Sequence, residues 1–223
     1  MNPLLKVEHL SYAYHSAGGE TCALSDLSFQ VEKGDILLDG KPVSQSRAAV
    51  GYMLQKDHLL EWRTIYQNAV LGLEIQHRLT EKNLLRVEQM LEDYGLATFK
   101  NARPSQLSGG MRQRAALIRT LAPNPALLLL DEPFSALDYL TRISVCDDIY
   151  KILKKQKKTA VMVTHDLSEA ISVADRIIIL SSRPAAIRKI LPVRLSLEER
   201  TPLLSRSAPE FKEYFNLIWK ELK

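Results

Sequence analysis

Three short stretches of this chain carry residue types able to work on a charged oxygen. Leu107-Ser108-Gly109-Gly110-Met111 opens a run of strong helix formers that continues to Ala122. Ser108 is a good N-cap, and adjacent glycines leave the first backbone N–H groups uncovered. Unpaired donors and the helix dipole then favour an anion such as a phosphate. Taken alone, Ser-Gly-Gly is more simply a capped helix with a flexible lead-in. The second stretch changes that balance: Ala126-Leu127-Leu128-Leu129-Leu130-Asp131-Glu132 is a short apolar run ending in two carboxylates. It predicts a buried parallel strand with its acids at the C-terminal edge, where open α/β sheets bind ligands. Residues 159–164 form a third, similar strand that delivers His165-Asp166 to the same edge. Carboxylates suit a hard cation or a base toward water, and N–H donors stabilise developing negative charge.

The rest of the chain must position these groups. At 223 residues and 46% hydrophobic, it has material for one sizeable core and a small helical lobe. Residues 4–14 and 23–31 alternate apolar and polar side chains, so they predict an antiparallel pair broken at Gly18-Gly19. Residues 49–54 predict a strand ending at Gln55. Residues 64–76 and 80–94 are amphipathic and predict two helices, the second capped by Gly95. Further on, residues 175–180 predict a buried strand, Arg183-Pro184 and residues 187–191 an edge strand, and residues 207–222 a closing helix. Its stripe of Phe211, Tyr214, Phe215, Ile218 and Trp219 is expected to pack in the core.

The net charge of +4 is locally concentrated at Lys151, Lys154, Lys155, Lys157 and Lys158. A solvated helix end complementing the helix dipole accounts for that run better than nucleic acid does, because no base-stacking platform accompanies it. Cys22 and Cys146 are too few for a disulfide framework or a zinc site, which fits a reducing cytosol. No apolar run approaches the roughly 20 residues of a membrane span, and no signal peptide is expected.

LSGGMRQR at 107–114, LLLLDE at 127–132, SALD at 135–138 and His165 occur in the order and spacing of one family. The chain resembles the ATP-binding subunits of ABC transporters, with these segments as signature, Walker B, D-loop and switch histidine. Gln55-Lys56-Asp57-His58-Leu59-Leu60-Glu61-Trp62-Arg63-Thr64 is similar to the Q-loop region of nitrate, sulfonate and taurine importers, with Glu61 where those usually have Pro. The resemblance implies an α/β fold: an antiparallel β subdomain, a parallel sheet flanked by helices, and a helical signature lobe. It is a single domain over 1–223, divided into 1–54, 55–122 (Q-loop and lobe) and 123–223. It implies ATP and Mg²⁺ as cofactors, Glu132, His165 and Gln55 as catalytic residues, and Asp131 with Gln55 at the metal. Ser108, Gly109, Gly110, Gln113 and Asp138 would serve nucleotide binding across a dimer. Tyr14 is placed as the adenine-stacking aromatic, although Tyr12 is two residues away and a sheet-surface role fits either. The implied partners are a membrane permease, a second ABC subunit and, indirectly, a substrate-binding protein, at the cytoplasmic face of the membrane and without nucleic acid.

One departure changes the expected role. After Glu32-Lys33-Gly34-Asp35 the family has a buried strand, a phosphate loop (Walker A) and a long helix, about 30 residues in all. Here Asp35 joins directly to Ile36. Residues 34–42 read Gly-x-x-x-x-x-Gly-Lys-Pro, one residue too long for a phosphate loop, with Pro in place of the Mg²⁺-binding hydroxyl. Asp39-Gly40 is a hairpin turn. The expected protein is therefore an importer's ATP-binding subunit without its phosphate loop, hydrolysing ATP poorly by itself. The alternatives are a non-catalytic subunit lending its signature to an intact partner, and a soluble ABC ATPase of repair or translation. The missing strand is expected between the strand ending at His165 and residues 176–180, leaving exposed edges.

Overall fold

The computed structural model describes residues 5–16, 19–31, 50–182 and 185–223. Residues 34–42, including Asp39-Gly40, and Arg183-Pro184 lie outside the described residues. Strands β1 (Leu5–Ser16) and β2 (Gly19–Val31) pair antiparallel with irregular register between Val7 and Ala13. The described residues form two compact units, one with these strands and Asp166–Lys223, the other ending at His165.

The second unit holds β3 (Val50–Met53), β4 (Leu127–Asp131) and β5 (Thr159–Val163), a parallel sheet in the order β3-β4-β5. Val50 faces Leu127, which faces Thr159, so the acids ending β4 and the residues following β3 and β5 reach one edge. Five helices join them: α1 (Ile65–Ala69), α2 (Leu71–Ile75), α3 (Glu81–Asp93), α4 (Gly109–Leu121) and α5 (Tyr139–Lys155). Strands taken in one direction with right-handed crossovers place the crossing helices on the same face. Helix α4 accordingly packs on both β3 and α5. That face of the sheet, with Met53, Leu128 and Leu130, is buried. On the opposite face Tyr52 is 55%, Leu54 41% and Val163 59% exposed.

The expected helix over 64–76 is two helices. Thr64 caps α1 through a reciprocal bond with Gln67, but the chain turns at Val70 before α2 begins. Gly72 weakens helix continuity there, and a Cβ on it would stand 2.7 Å from Pro123 Cγ, so local propensity yields to packing. Helix α3 follows expectation. Thr80 caps it, Gly95 takes a left-handed φ of 69°, and Leu96 N–H reaches Leu91 O at 2.7 Å.

In the first unit α6 (Leu167–Val173), β6 (Arg176–Leu180), β7 (Ile187–Pro192), α7 (Pro202–Ser205) and α8 (Pro209–Leu222) follow. Residues 175–180 predict a buried strand; β6 pairs antiparallel with β7, and of its five residues Ile177 and Ile179 are buried. These join Ile171, Leu191, Val193 and Ile218 in one cluster. Of the α8 stripe, Ile218 is in that core and Phe211, Tyr214 and Phe215 lie against it. Trp219 does not follow: it is exposed and stacks on Phe215 with centroids 6.5 Å apart. The lysine run is also more than a solvated end. Lys151 pairs with Asp147, Lys155 with Asp93, and Lys158 donates to Asn124 and the Pro125 carbonyl.

Gly110 is buried where a Cβ would meet Thr141 Cγ2 and Val145 Cγ2, both at 2.9 Å, across the α4–α5 contact. Gly110→Ala should destabilise the chain by about 1–3 kcal/mol in urea denaturation. Gly109→Ala, whose nearest neighbour is the flexible Leu137 tip at 3.1 Å, should cost less. A parallel sheet with apolar side chains exposed on one face should also bind an apolar dye while folded. Val163→Lys should reduce that dye signal and raise solubility, with stability changed by only about 0.5 kcal/mol or less.

Candidate functional site

Glu132 stands one residue beyond β4, yet its N–H donates to Val163 O at 2.9 Å, extending the β4–β5 ladder. Its φ of 42° is left-handed, a conformation costing about 1–2 kcal/mol for a residue with a Cβ. The turn is held by Ser135, whose N–H and hydroxyl both donate to Glu132 O, at 3.2 and 3.1 Å. Built this way, the Glu132 carboxylate meets groups from both neighbouring strands. Gln55, just past β3, donates its Nε2–H to Oε2 at 3.0 Å. His165, just past β5, places Nδ1 2.8 Å from Oε1. An ionised carboxylate only accepts, so Nδ1 carries the proton in this contact. Nε2 is then an acceptor in the neutral ring and a donor only in the imidazolium. The His165 side chain is 74% exposed.

Asp131 ends β4 with its carboxylate partly exposed, and Tyr52 OH lies 3.4 Å from Oδ2. Sequence reasoning missed Tyr52. The signal was strand alternation: Tyr52 pairs with Leu129, two residues before Asp131, so both share one face. The structure thus brings together Gln55, Asp131, Glu132 and His165.

The other expected site residues surround the N-termini of α4 and α5. Ser108 caps α4, accepting from Met111 N at 3.4 Å. Ser108 and Gly109 are exposed, whereas Gly110 is buried, so one glycine serves access and the other close packing. Gln113 is 3% exposed, and its buried Oε1 has no hydrogen-bond partner among the described residues. It lines a cleft of about 440 Å³ with Lys56, His58, Gly109, Arg112 and Leu137. Asp138 caps α5, and hydrogen bonds from the Thr141 side chain and backbone hold its carboxyl below the usual carboxylate range. Tyr14 lies on β1 opposite Thr21.

Among the described residues no group of three or more His, Cys, Asp or Glu is arranged to hold a metal by itself. Asp131 and the Gln55 Oε1, left over by its Nε2 contact, nonetheless offer hard oxygens. That donor set fits Mg²⁺, which typically takes one or two protein oxygens and completes its shell with water and phosphate.

The ABC transporter family model matches residues 21–135. The chain is 40% identical over 247 residues to an uncharacterized ABC transporter ATP-binding protein of Bacillus subtilis, covering 98% of this chain and 95% of the relative. It is 37% identical to a nitrate import ATP-binding protein of Synechocystis, covering 83% and 71% of the two chains. An aliphatic sulfonates import ATP-binding protein of Pseudomonas syringae is 39% identical, with 75% and 71% covered. Among solved structures, the dimeric post-hydrolysis state of an ATP-binding cassette bound to ADP and Pi superposes with a TM-score of 0.66 at 22% identity. It covers 85% of this chain and 98% of that one, a likeness of fold. The chain belongs to the ABC transporter family and is an ATP-binding domain of it.

Proposed function

We propose that this chain is the energy-coupling ATP-binding subunit of an importer for a small anionic solute of the nitrate or sulfonate kind, and that it lacks a phosphate loop of its own. The observation that carries the reading is the cluster of Gln55, Glu132 and His165 beside Asp131 at the sheet edge. The solute class rests on relatives named for nitrate and sulfonate import. The missing loop is supported by the sequence, which contains no Gly-x-x-x-x-Gly-Lys-[Ser/Thr]. It is supported also by the alignment with the Bacillus subtilis relative, which spans 247 residues against the 223 of this chain.

Asp131 and Gln55 Oε1 would hold Mg²⁺, which when bound neutralises phosphate charge and orients the phosphate oxygens. The chain's own groups do the rest. Glu132 is the base that takes a proton from water, and Gln55 and His165 fix the direction of its carboxylate. Protonated at both nitrogens, His165 offers Nε2–H to a phosphate oxygen while keeping Glu132 on Nδ1. Ser108 and Gly109 present the N-terminus of α4, where the exposed donors and dipole favour an anion.

Positioning supplies most of the catalysis in phosphoryl transfer, so a chain without the cradle keeps its base and loses its principal positioning device. A second reading follows from the exposure of Ser108 and Gly109. The chain would lend this helix N-terminus to ATP held by an intact partner subunit, forming one composite site. In either reading it docks on a membrane permease at the cytoplasmic face; among the described residues no helix is long and apolar enough to cross a membrane.

Calorimetric titration of ATP with Mg²⁺ should give a dissociation constant no tighter than about millimolar, because several charge-assisted bonds of roughly 1.5–3 kcal/mol each are missing. Phosphate release by the chain alone should stay at background, and Glu132→Gln should not lower it further. Micromolar binding, or turnover that Glu132→Gln abolishes, would mean that another segment cradles the phosphates. For docking, Trp62 is 70% exposed within the importer-like segment. Trp62→Ala should weaken co-purification with the permease; undiminished association would remove this surface from the reading.

A further inference from the structure

Gln55 sits on a short tether between two fixed points. Upstream, Met53 is locked into the sheet opposite Leu130. Downstream, the chain is gripped by α4. Arg112 donates Nε–H to Asp57 Oδ2 at 2.9 Å and Nη2–H to Oδ1 at 3.0 Å, a two-pronged fork, and Nη2 also reaches Glu61 Oε1 at 2.7 Å. Arg119, two turns along the same face of α4, donates Nη1–H to His58 O and Nη2–H to Asp57 O, both at 2.6 Å. Held between them, His58 takes a left-handed φ of 45°, a conformation that persists only where surrounding contacts enforce it. Burial pushes the Asp57 carboxyl up, but the Arg112 hydrogen bonds, the Leu59 N–H and the charges of Arg112 and Arg119 outweigh it and hold the group below its ordinary 3.8.

We infer that Asp57, Arg112 and Arg119 form a latch that ties the Gln55 segment to α4, so that the reach of Gln55 to Glu132 and the position of Ser108 are set together. These are positioning residues. Ser108 precedes Arg112 by one helical turn, so a shift of α4 that moves the anion-facing N-terminus also pulls on Asp57, two residues from Gln55. Arg112 makes three hydrogen bonds to residues 57–61 and Arg119 two, so the helix and the tether are joined at several points rather than one. The assignment rests on Gln55 and Glu132 working together as proposed above, but its test uses no nucleotide and so fails or succeeds independently of ATP binding.

The test is the NMR signal of the Gln55 side-chain amide in the full chain, identified by its loss in Gln55→Ala and by its displacement in Glu132→Ala. In Arg112→Gln that signal should move toward its Glu132→Ala position, and backbone hydrogen exchange at residues 56–60 should speed up roughly tenfold, equivalent to about 1.4 kcal/mol of local protection. Arg112→Lys, which keeps the charge and loses the fork, should move it part of the way. Arg114→Gln is the control, since Arg114 pairs with Asp148 at 3.1 Å from the same helix without touching the tether; it should leave the signal in place. If Arg112→Gln does not fold, Asp57→Asn removes the opposite charge of the same ion pair with its shape kept and should move the signal alike. A folded Arg112→Gln or Asp57→Asn chain with the Gln55 signal unmoved would overturn the latch. An equal displacement in Arg114→Gln would overturn it too, by showing general loosening of α4.

Discussion

Helix α4 is packed by α1, α2, α3, α5 and β3 together, and the other elements of its unit are placed by that crowding. Side-chain volume sets the limit. Gly110, Ala115 and Ala116 let neighbours approach the helix closely, while Leu117, Ile118 and Leu121 supply the buried apolar area. Burial of each such large side chain is worth about 1.5–3 kcal/mol. A helix so enclosed cannot shift without moving its neighbours, and its exposed N-terminus is therefore fixed to a core.

The same enclosure explains why the glycines and arginines of this helix divide their duties. Gly109 faces solvent and Gly110 faces α5, so adjacent identical residues answer to different constraints. Among the arginines, Arg112 and Arg119 hold the segment after β3 and Arg114 holds α5. Helical periodicity alone separates these roles, because residues seven apart share a face and a residue two further on does not.

At the sheet edge, strain and pairing work in the same direction. The left-handed Glu132 is an unfavourable backbone state, offset by a ladder bond to Val163 and two bonds from Ser135. What it achieves is a carboxylate turned between Gln55 and His165, oriented before any ligand arrives. For the base proposed above, such preorganisation would fix its direction without a search.

Local features were legible in the sequence because their causes lie within a few residues. The Ser108 cap, the Thr80 and Gly95 ends of α3, the apolar β4 with its terminal acids, and the strand before His165 all follow from capping, left-handed glycine and apolar runs. The family model matches residues 21–135, while the expected Asp138 and His165 lie beyond that range and follow from the sequence motifs alone. Packing decided the remainder. The break at Val70, the burial of Gln113, the exposure of Trp219 and the partners of the lysines all depend on neighbours remote in sequence. The hydrogen bond from Gln55 to Glu132 spans 77 residues, that from His165 spans 33, and Arg112 reaches back 55 to Asp57. By itself the sequence determined the type and approximate place of the capped helices and apolar strands, and which residue types could act. Only the tertiary structure decided which of them meet, because a contact across such separations depends on strand register and helix packing, which no local preference specifies.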